Sequence, residues 1–391
     1  MEDAHLYEVI KYSLWNTGNA TGDVEIFEEM RNHGIAVLAF PVLKDLSLTP
    51  ELFQEWDRLS VRQFGHYFRY IQAQSELPVT VPYVILKGTC AAKYYPYPEC
   101  RAMGDIDIMT SHEDFRAACD CLLANGFSEH TEVDDLRRVR HREFSRGFLE
   151  VEVHSYYAHR NDPEETRFLD GLILENINPS HVLPDMVNGL TLIEHVNHHI
   201  EDGLGLRQII DWMMFVDRCL PDEAWAEFQP LAQKSGLVKM AVIVTRMCEI
   251  YLGLPEHQWC SQADPEICAR LMEYVLSCGN FGRKLHAESV ISMRMLSTSG
   301  SLNGTFRLLR KRGMKNWKAA QKYSFLRPFA WLYQLGHYLV KGFGRKNSFR
   351  MLSEEYKESR KRNELFDAVG AVREQDGIVF YQDGEYRHTK R

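Results

Sequence analysis

The segment Gly104-Asp105-Ile106-Asp107-Ile108 constrains the chain more than any other, because it reads as a strand with its chemistry on one side. Side chains of an extended strand alternate between faces, so Asp105 and Asp107 share one face while Ile106 and Ile108 share the other. Leu149 to His154 repeats the pattern, with Glu150, Glu152 and His154 opposite Leu149, Val151 and Val153. A sheet joining the two strands would gather three carboxylates on one small patch. Such groups repel one another unless a cation lies between them, and hard oxygen donors suit Mg²⁺, which in turn suits phosphate chemistry. Ahead of the pair, Pro82 to Leu86 reads as a short apolar strand. Gly88 then permits a tight turn into a helix over about 89–94.

Around this unit the pattern is helical. Residues 1–78 carry Leu6, Val9, Ile10 and Leu14 at helical spacing and a long amphipathic stretch from Thr49 to Ala73, with Pro50 near its start where proline is tolerated. The α/β unit spans 79–158. Within it, Ser111 reads as the N-cap of a helix that presents Phe115, Ala118, Cys119, Leu122 and Leu123 on one face and closes at Asn125-Gly126. Ser145-Arg146-Gly147 reads as a hairpin turn. Residues 159–345 are expected to form a helical domain, with its clearest helices at 191–201 and 206–220. The charged tail, 346–391, is expected to be peripheral and partly ordered, with a strand-like run from Gly377 to Tyr381.

With 391 residues, 45% of them hydrophobic, the chain can bury a large core and shows no disordered or collagenous bias. The acidic start, Met1-Glu2-Asp3-Ala4-His5, lacks an apolar signal region, no run of about 18 apolar residues suggests a membrane span, and nine scattered cysteines include no Cys-x-x-Cys. A cytoplasmic protein with reduced thiols is expected. Charge is uneven. Ser289 to Ser353 holds thirteen Lys or Arg and no Asp or Glu, so the rest of the chain carries −21 against −8 for the whole. The basic segment, 294–350, therefore faces either an anionic partner or the protein's own acidic surface. Arg307, Arg310, Lys311, Arg312, Lys315, Lys318 and Lys322 interleaved with Phe306, Trp317 and Tyr323 would suit nucleic acid, and Phe329, Leu332, Tyr333, Leu335, Leu339 and Lys341 an interfacial helix. A solvated helix pair is the simpler account.

A Gly-Ser/Thr turn, an Asp-x-Asp strand and a later acidic strand together resemble the polymerase-beta-like nucleotidyltransferase superfamily. Within it, Leu86-Lys87-Gly88, Tyr95-Pro96, Pro98, Arg101, Gly104-Asp105-Ile106-Asp107 and Asn125-Gly126-Phe127 resemble the bacterial family described as uncharacterised, or type 5, nucleotidyltransferases. Glu152-Val153-His154 matches that family's acidic-x-His strand, and His195, His199, Arg207 and Asp211 its downstream helices. The resemblance implies an α+β fold: a small mixed-sheet nucleotidyltransferase core flanked by N-terminal helices and a larger C-terminal helical domain. It also implies transfer of a nucleoside monophosphate from an NTP such as ATP to a hydroxyl of a small molecule, sugar or protein, releasing pyrophosphate, with Mg²⁺ or Mn²⁺ as cofactor. The rival is a non-catalytic nucleotide- or nucleic-acid-binding regulator that keeps the fold.

On this reading Asp105, Asp107 and Glu152 are the catalytic metal ligands, with Glu152 also activating the acceptor hydroxyl; Glu150 competes for the third position, and the acidic-x-His register favours Glu152. Gly88 and Thr89 would offer backbone N–H groups and a hydroxyl to the phosphates. Lys87 and Arg101 either stabilise the leaving pyrophosphate or are ordinary surface charges. His154 either orients a carboxylate, binds phosphate, or is a structural histidine. His195 and His199, four apart on a helix, lack the Glu that follows the first His in zinc proteases, so they are expected to line a cleft and touch nucleotide or acceptor. Arg207 and Asp211 are expected to form a surface ion pair, the alternative being a triphosphate contact from Arg207.

Overall fold

The computed structural model describes residues 2–18, 20–130, 140–284, 306, 309–310, 313–314, 316–343, 348–373, 377–382 and 384–388. The chain divides into a unit of residues 1–284 with 370–372 and 377–391, and a unit of 285–369 with 373–376.

In the first unit, α1 (Glu2–Trp15) and α2 (Val24–Asn32) precede a 3-10 segment, Ala36–Asp45, and the long α3 (Pro50–Ser75). The start of α3 follows from its sequence: the Thr49 hydroxyl accepts from the backbone N–H of Leu52 at 3.3 Å, and Pro50 takes the first position, where no N–H is required. The α/β core then runs β1 (Tyr83–Leu86), α4 (Gly88–Ala92), β2 (Ile106–Thr110), α5 (Phe115–Ala124), β3 (Ser128–Glu129), β4 (His141–Arg146) and β5 (Leu149–His154). Ser111 does not open α5 directly: its Oγ accepts from the Asp114 N–H at 3.1 Å and donates to the Asp114 carboxylate at 2.8 Å, forming a turn ahead of the helix. The sheet order is β1-β2-β5-β4-β3, with β2 and β5 parallel and the other pairs antiparallel. This is the mixed α+β architecture expected from the sequence.

Strand alternation decides what the two sheet faces do. Ile85, Ile106, Ile108, Val151 and Val153 pack with Ala118, Cys119 and Leu122 of α5 and with Tyr70 of α3 into one buried cluster. The opposite face carries the polar residues. After β5 the chain continues as α6 (Pro163–Glu175), α7 (Asp185–His199), α8 (Leu206–Cys219), α9 (Asp222–Lys234), α10 (Val238–Leu252) and α11 (Pro265–Cys278), and residues of α7 and α8 meet the polar face. Residues 187–197 of α7 are all buried, so this helix is surrounded rather than amphipathic.

The second unit contains α12 (Lys318–Lys322), α13 (Ala330–Phe343) and α14 (Ser348–Val369). Phe325, Phe329 and Leu332 are exposed there, and Trp317 stacks on Tyr333 at 5.1 Å. Arg307, Lys311, Arg312 and Lys315 lie outside the described residues, as do the side chains of Leu339 and Lys341.

The C-terminal hairpin corrects the expectation of a peripheral tail. β6 (Val379–Gln382) and β7 (Glu385–His388) belong to the first unit, with Val379 and Phe380 buried. The Val379 N–H donates to the Arg160 carbonyl at 3.0 Å, and the Tyr386 hydroxyl donates to the Asp170 carboxylate at 2.9 Å. Among the described residues, no helix is long and apolar enough to cross a membrane.

Candidate active site

Parallel pairing sets Asp107 on β2 opposite Glu152 on β5, and antiparallel pairing sets Leu86 at the end of β1 opposite the same Asp107. Lys87, the residue after Leu86, therefore emerges beside the acids. It occupies a backbone conformation rare for a side-chain-bearing residue, φ +52°, and Gly88 follows at φ +46°. From that turn its Nζ lies 2.7 Å from Asp107 Oδ1. His154 Nε2 is 2.9 Å from the same oxygen and 3.3 Å from Glu152 Oε2.

These groups border a cavity of about 200 Å³. Asp105, Asp107 and Glu152 offer ligand atoms within 4.8 Å of one another, and His141, Glu152 and His154 form a second such group. Three clustered carboxylate oxygens suit a hard divalent cation, so the donor set fits Mg²⁺ or Mn²⁺. Glu150 is exposed on β5, where it pairs with Ser145 on β4, and it joins neither group.

Electrostatics separates the acids. Asp105 is pushed above the usual carboxylate range, first by the charge of Asp107 and then by burial. For Glu152, burial opposes ionisation, but the hydrogen bond and charge of His154 together with Lys87 outweigh it and bring the carboxyl down to about 2. Lys87 is raised above its ordinary value: burial works against its charge, and Asp107 and Asp105 more than compensate.

Helices α7 and α8 form the far wall. His195, His198 and His199 of α7 line the cavity, with the His195 and His199 rings 4.5 Å apart. Burial drives all three imidazoles down, His199 to about 3 and the other two well below the ordinary value, with Lys87 the next cause for His195 and His199 and Arg140 for His198. They line the cavity as neutral rings.

Arg207, from the start of α8, also faces the cavity; its Nη1 reaches the Ala102 carbonyl at 3.4 Å, and no carboxylate among the described residues forms a salt bridge with it. Burial and the neighbouring Arg101 lower its proton affinity.

The expected Arg207–Asp211 ion pair is replaced by another. Arg101 Nε and Nη2 donate to Asp211 at 2.8 and 2.7 Å, and the Tyr95 hydroxyl adds a third bond at 2.7 Å. Arg101 is 4% exposed and Asp211 1%, so Arg101 is no surface charge and the pair is sealed from solvent. One helical turn separates Arg207 from Asp211, but the guanidinium that reaches the carboxylate in fork geometry comes from the loop before β2. Asp211→Asn should cost roughly 3–5 kcal/mol, because it strands a buried guanidinium, whereas the double change Arg101→Met/Asp211→Leu should cost much less. Urea unfolding measures both. Equal losses would show that the charge pairing is not what holds the loop.

Most of the residues read from the sequence meet here: Lys87, Gly88, Arg101, Asp105, Asp107, Glu152, His154, His195, His199 and Arg207 border one cavity. Thr89 does not. Its hydroxyl donates to Gln74 Oε1 on α3 at 2.7 Å. Arg140, His141, Tyr157, His198 and Phe281 line the cavity and were not singled out. His198 sits between His195 and His199 in the sequence, and Phe281 is flanked by Gly279 and Gly282, a turn signal that could have drawn notice.

No curated protein and no solved structure matches the chain. A family model described as uncharacterised nucleotidyltransferase matches residues 22–253, more than half the chain and all of the sheet and its flanking histidine helix, so the protein belongs to that nucleotidyltransferase family.

Proposed function

We propose that this enzyme transfers a nucleoside monophosphate from an NTP to a hydroxyl acceptor with Mg²⁺ or Mn²⁺, on a polymerase-beta-like core. The observation that carries the reading is the Asp105, Asp107 and Glu152 oxygen cluster beside Lys87 and Arg207 in one cavity. Asp105, Asp107 and Glu152 would hold the divalent ion, which when bound supplies charge neutralisation at the α-phosphate. The acceptor oxygen forms a bond to that phosphorus as the bond to the β-phosphate oxygen breaks. Pyrophosphate departs with the electron pair, and the hydroxyl proton passes to the carboxylate cluster.

Glu152, kept ionised by His154 and Lys87, is available both as ligand and as acceptor of a hydrogen bond from the attacking hydroxyl. Lys87 and Arg207 supply positive charge for the β- and γ-phosphates, with Arg101 held behind them by Asp211. Buried neutral His195 and His199 keep that wall polar without adding charge. The acceptor, a small molecule or sugar or a protein side chain, would enter from the helical side.

Incubation with each α-labelled NTP, with and without divalent metal, tests the reading. Label should appear on an acceptor with release of one pyrophosphate per transfer, only with metal present. Release of inorganic phosphate and NDP instead, or transfer indifferent to chelation, would overturn it.

A further inference from the structure

Among the described residues that line the cavity, Phe281 is the aromatic side chain that is both large and widely exposed: 49% of its surface is accessible. It also has φ +54° and ψ +35°, a left-handed conformation that is unfavourable for any residue with a Cβ. Two close backbone approaches hold it there. A Cβ on Gly203 would come within 2.4 Å of Gly282 N, and one on Gly205 within 2.6 Å of Asn280 Cα, so the loop between α7 and α8 lies directly against the segment 280–282 that follows α11. The Tyr274 hydroxyl, donating to the Ile200 carbonyl, ties α11 to the same loop. The ring is braced as well: Arg207 Cζ lies 5.3 Å from its centroid, and the His199 ring meets it edge-on at 5.0 Å.

A strained, braced and half-exposed aromatic ring at the rim of a charged cavity is costly for folding and suits a planar ligand. We propose that Phe281 is the stacking platform for the nucleobase of the NTP, an inference that rests on the nucleotidyltransferase reading above. The neighbours of Arg207 support the base rather than the acceptor. Its charge acts on Asp105, its Nη1 reaches the Ala102 carbonyl in the loop before β2, and its Cζ lies 5.3 Å from the Phe281 ring centroid. A guanidinium that neighbours both an acid of the cluster and an aromatic plane suits a nucleotide, in which phosphate charge and a planar base belong to one molecule.

The test compares a ligand that has a base with one that does not, in the absence of acceptor. Calorimetry with the full chain and Mg²⁺ would measure ATP, GTP, CTP and UTP beside inorganic tripolyphosphate, for the unaltered protein and for Phe281→Ala, Phe281→Tyr and Phe281→Gly. Phe281→Ala should weaken the preferred NTP on the order of tenfold and leave tripolyphosphate unchanged, while Phe281→Tyr retains affinity. Phe281→Gly, which fits the left-handed backbone, should lose the same affinity while unfolding at an equal or higher denaturant midpoint. That combination separates ligand contact from a structural role.

Equal losses for NTP and tripolyphosphate, or undiminished NTP binding in Phe281→Ala, would overturn the platform while leaving nucleotidyl transfer standing. An unaltered protein that binds tripolyphosphate but none of the NTPs would instead overturn the nucleotide reading itself.

Discussion

Replacing Asp107 by Asn should lower nucleotidyl transfer on the order of 10³-fold or more, and Asp105→Asn should do the same, because each removes a carboxylate from the group that would hold the divalent ion. The two variants should nevertheless move stability in opposite directions. Asp107 is the carboxylate 2.7 Å from Lys87 Nζ, in a pair whose members are 1% and 12% exposed. Neutralising it leaves a largely buried ammonium without its nearest counter-charge, at a cost on the order of 3 kcal/mol. Asp105 is the acid whose ionised form is disfavoured, first by the charge of Asp107 and second by burial. Neutralising it relieves that repulsion, so Asp105→Asn should unfold at a higher urea concentration than the unaltered protein in the absence of metal. Activity and urea midpoint measured on both proteins decide the matter. Two inactive variants with equally lowered midpoints would show that the acids act only as structural members of the core.

Acidification from pH 7 to pH 5 should destabilise the protein on the order of 5–10 kcal/mol, comparable with the whole stability of a typical domain. Burial is the leading cause of the lowered values of His33, His159, His195, His198 and His199, which fall to about 3 where a figure applies. In the unfolded chain the same imidazoles return to about 6.5. Between those limits the unfolded state binds more protons than the folded one, so stability is fully present above about pH 6.5 and drains away as the pH falls. Each histidine contributes a limiting slope of about 1.4 kcal/mol per pH unit. Glu152 has no part in this window, because its depressed carboxyl contributes stability that is lost only as the pH falls from the ordinary carboxylate value towards about 2. Urea titrations at pH 7, 6 and 5 provide the check, and a midpoint that stays constant over that range would sink the account.

Several features could be read in the sequence because their causes are local. The start of α3 follows from Thr49 and Pro50, which act within one turn. The placement of Ile106, Ile108, Val151 and Val153 against α5, with Asp107, Glu152 and His154 on the other face, follows from the period-two geometry of a strand. The turn before α4 needed Gly88, but that Lys87 shares its positive φ could not be read, since the conformation is imposed by the strand and helix on either side. The Arg207–Asp211 pairing failed for a related reason. Spacing of four on a helix makes two side chains neighbours, yet it says nothing about a third residue arriving from a distant loop with better geometry. The tail was misjudged because its hairpin is short and flanked by charge, and its burial depends on Arg160 and Asp170, more than 200 residues away.

By itself the sequence determined the carboxylate-bearing strands, their facing, and through its motifs the reaction class, all of which depend on residues a few positions apart. Only the tertiary structure decided which acid joins the pair. Parallel pairing of β2 with β5 sets Glu152 opposite Asp107 and leaves Glu150 exposed. It also decided that Asp211 belongs to Arg101, that the histidines of α7 are neutral, and that Phe281 stands at the cavity rim. Each of these depends on burial or on contacts between segments far apart in the chain, and neither local spacing nor side-chain periodicity carries that information.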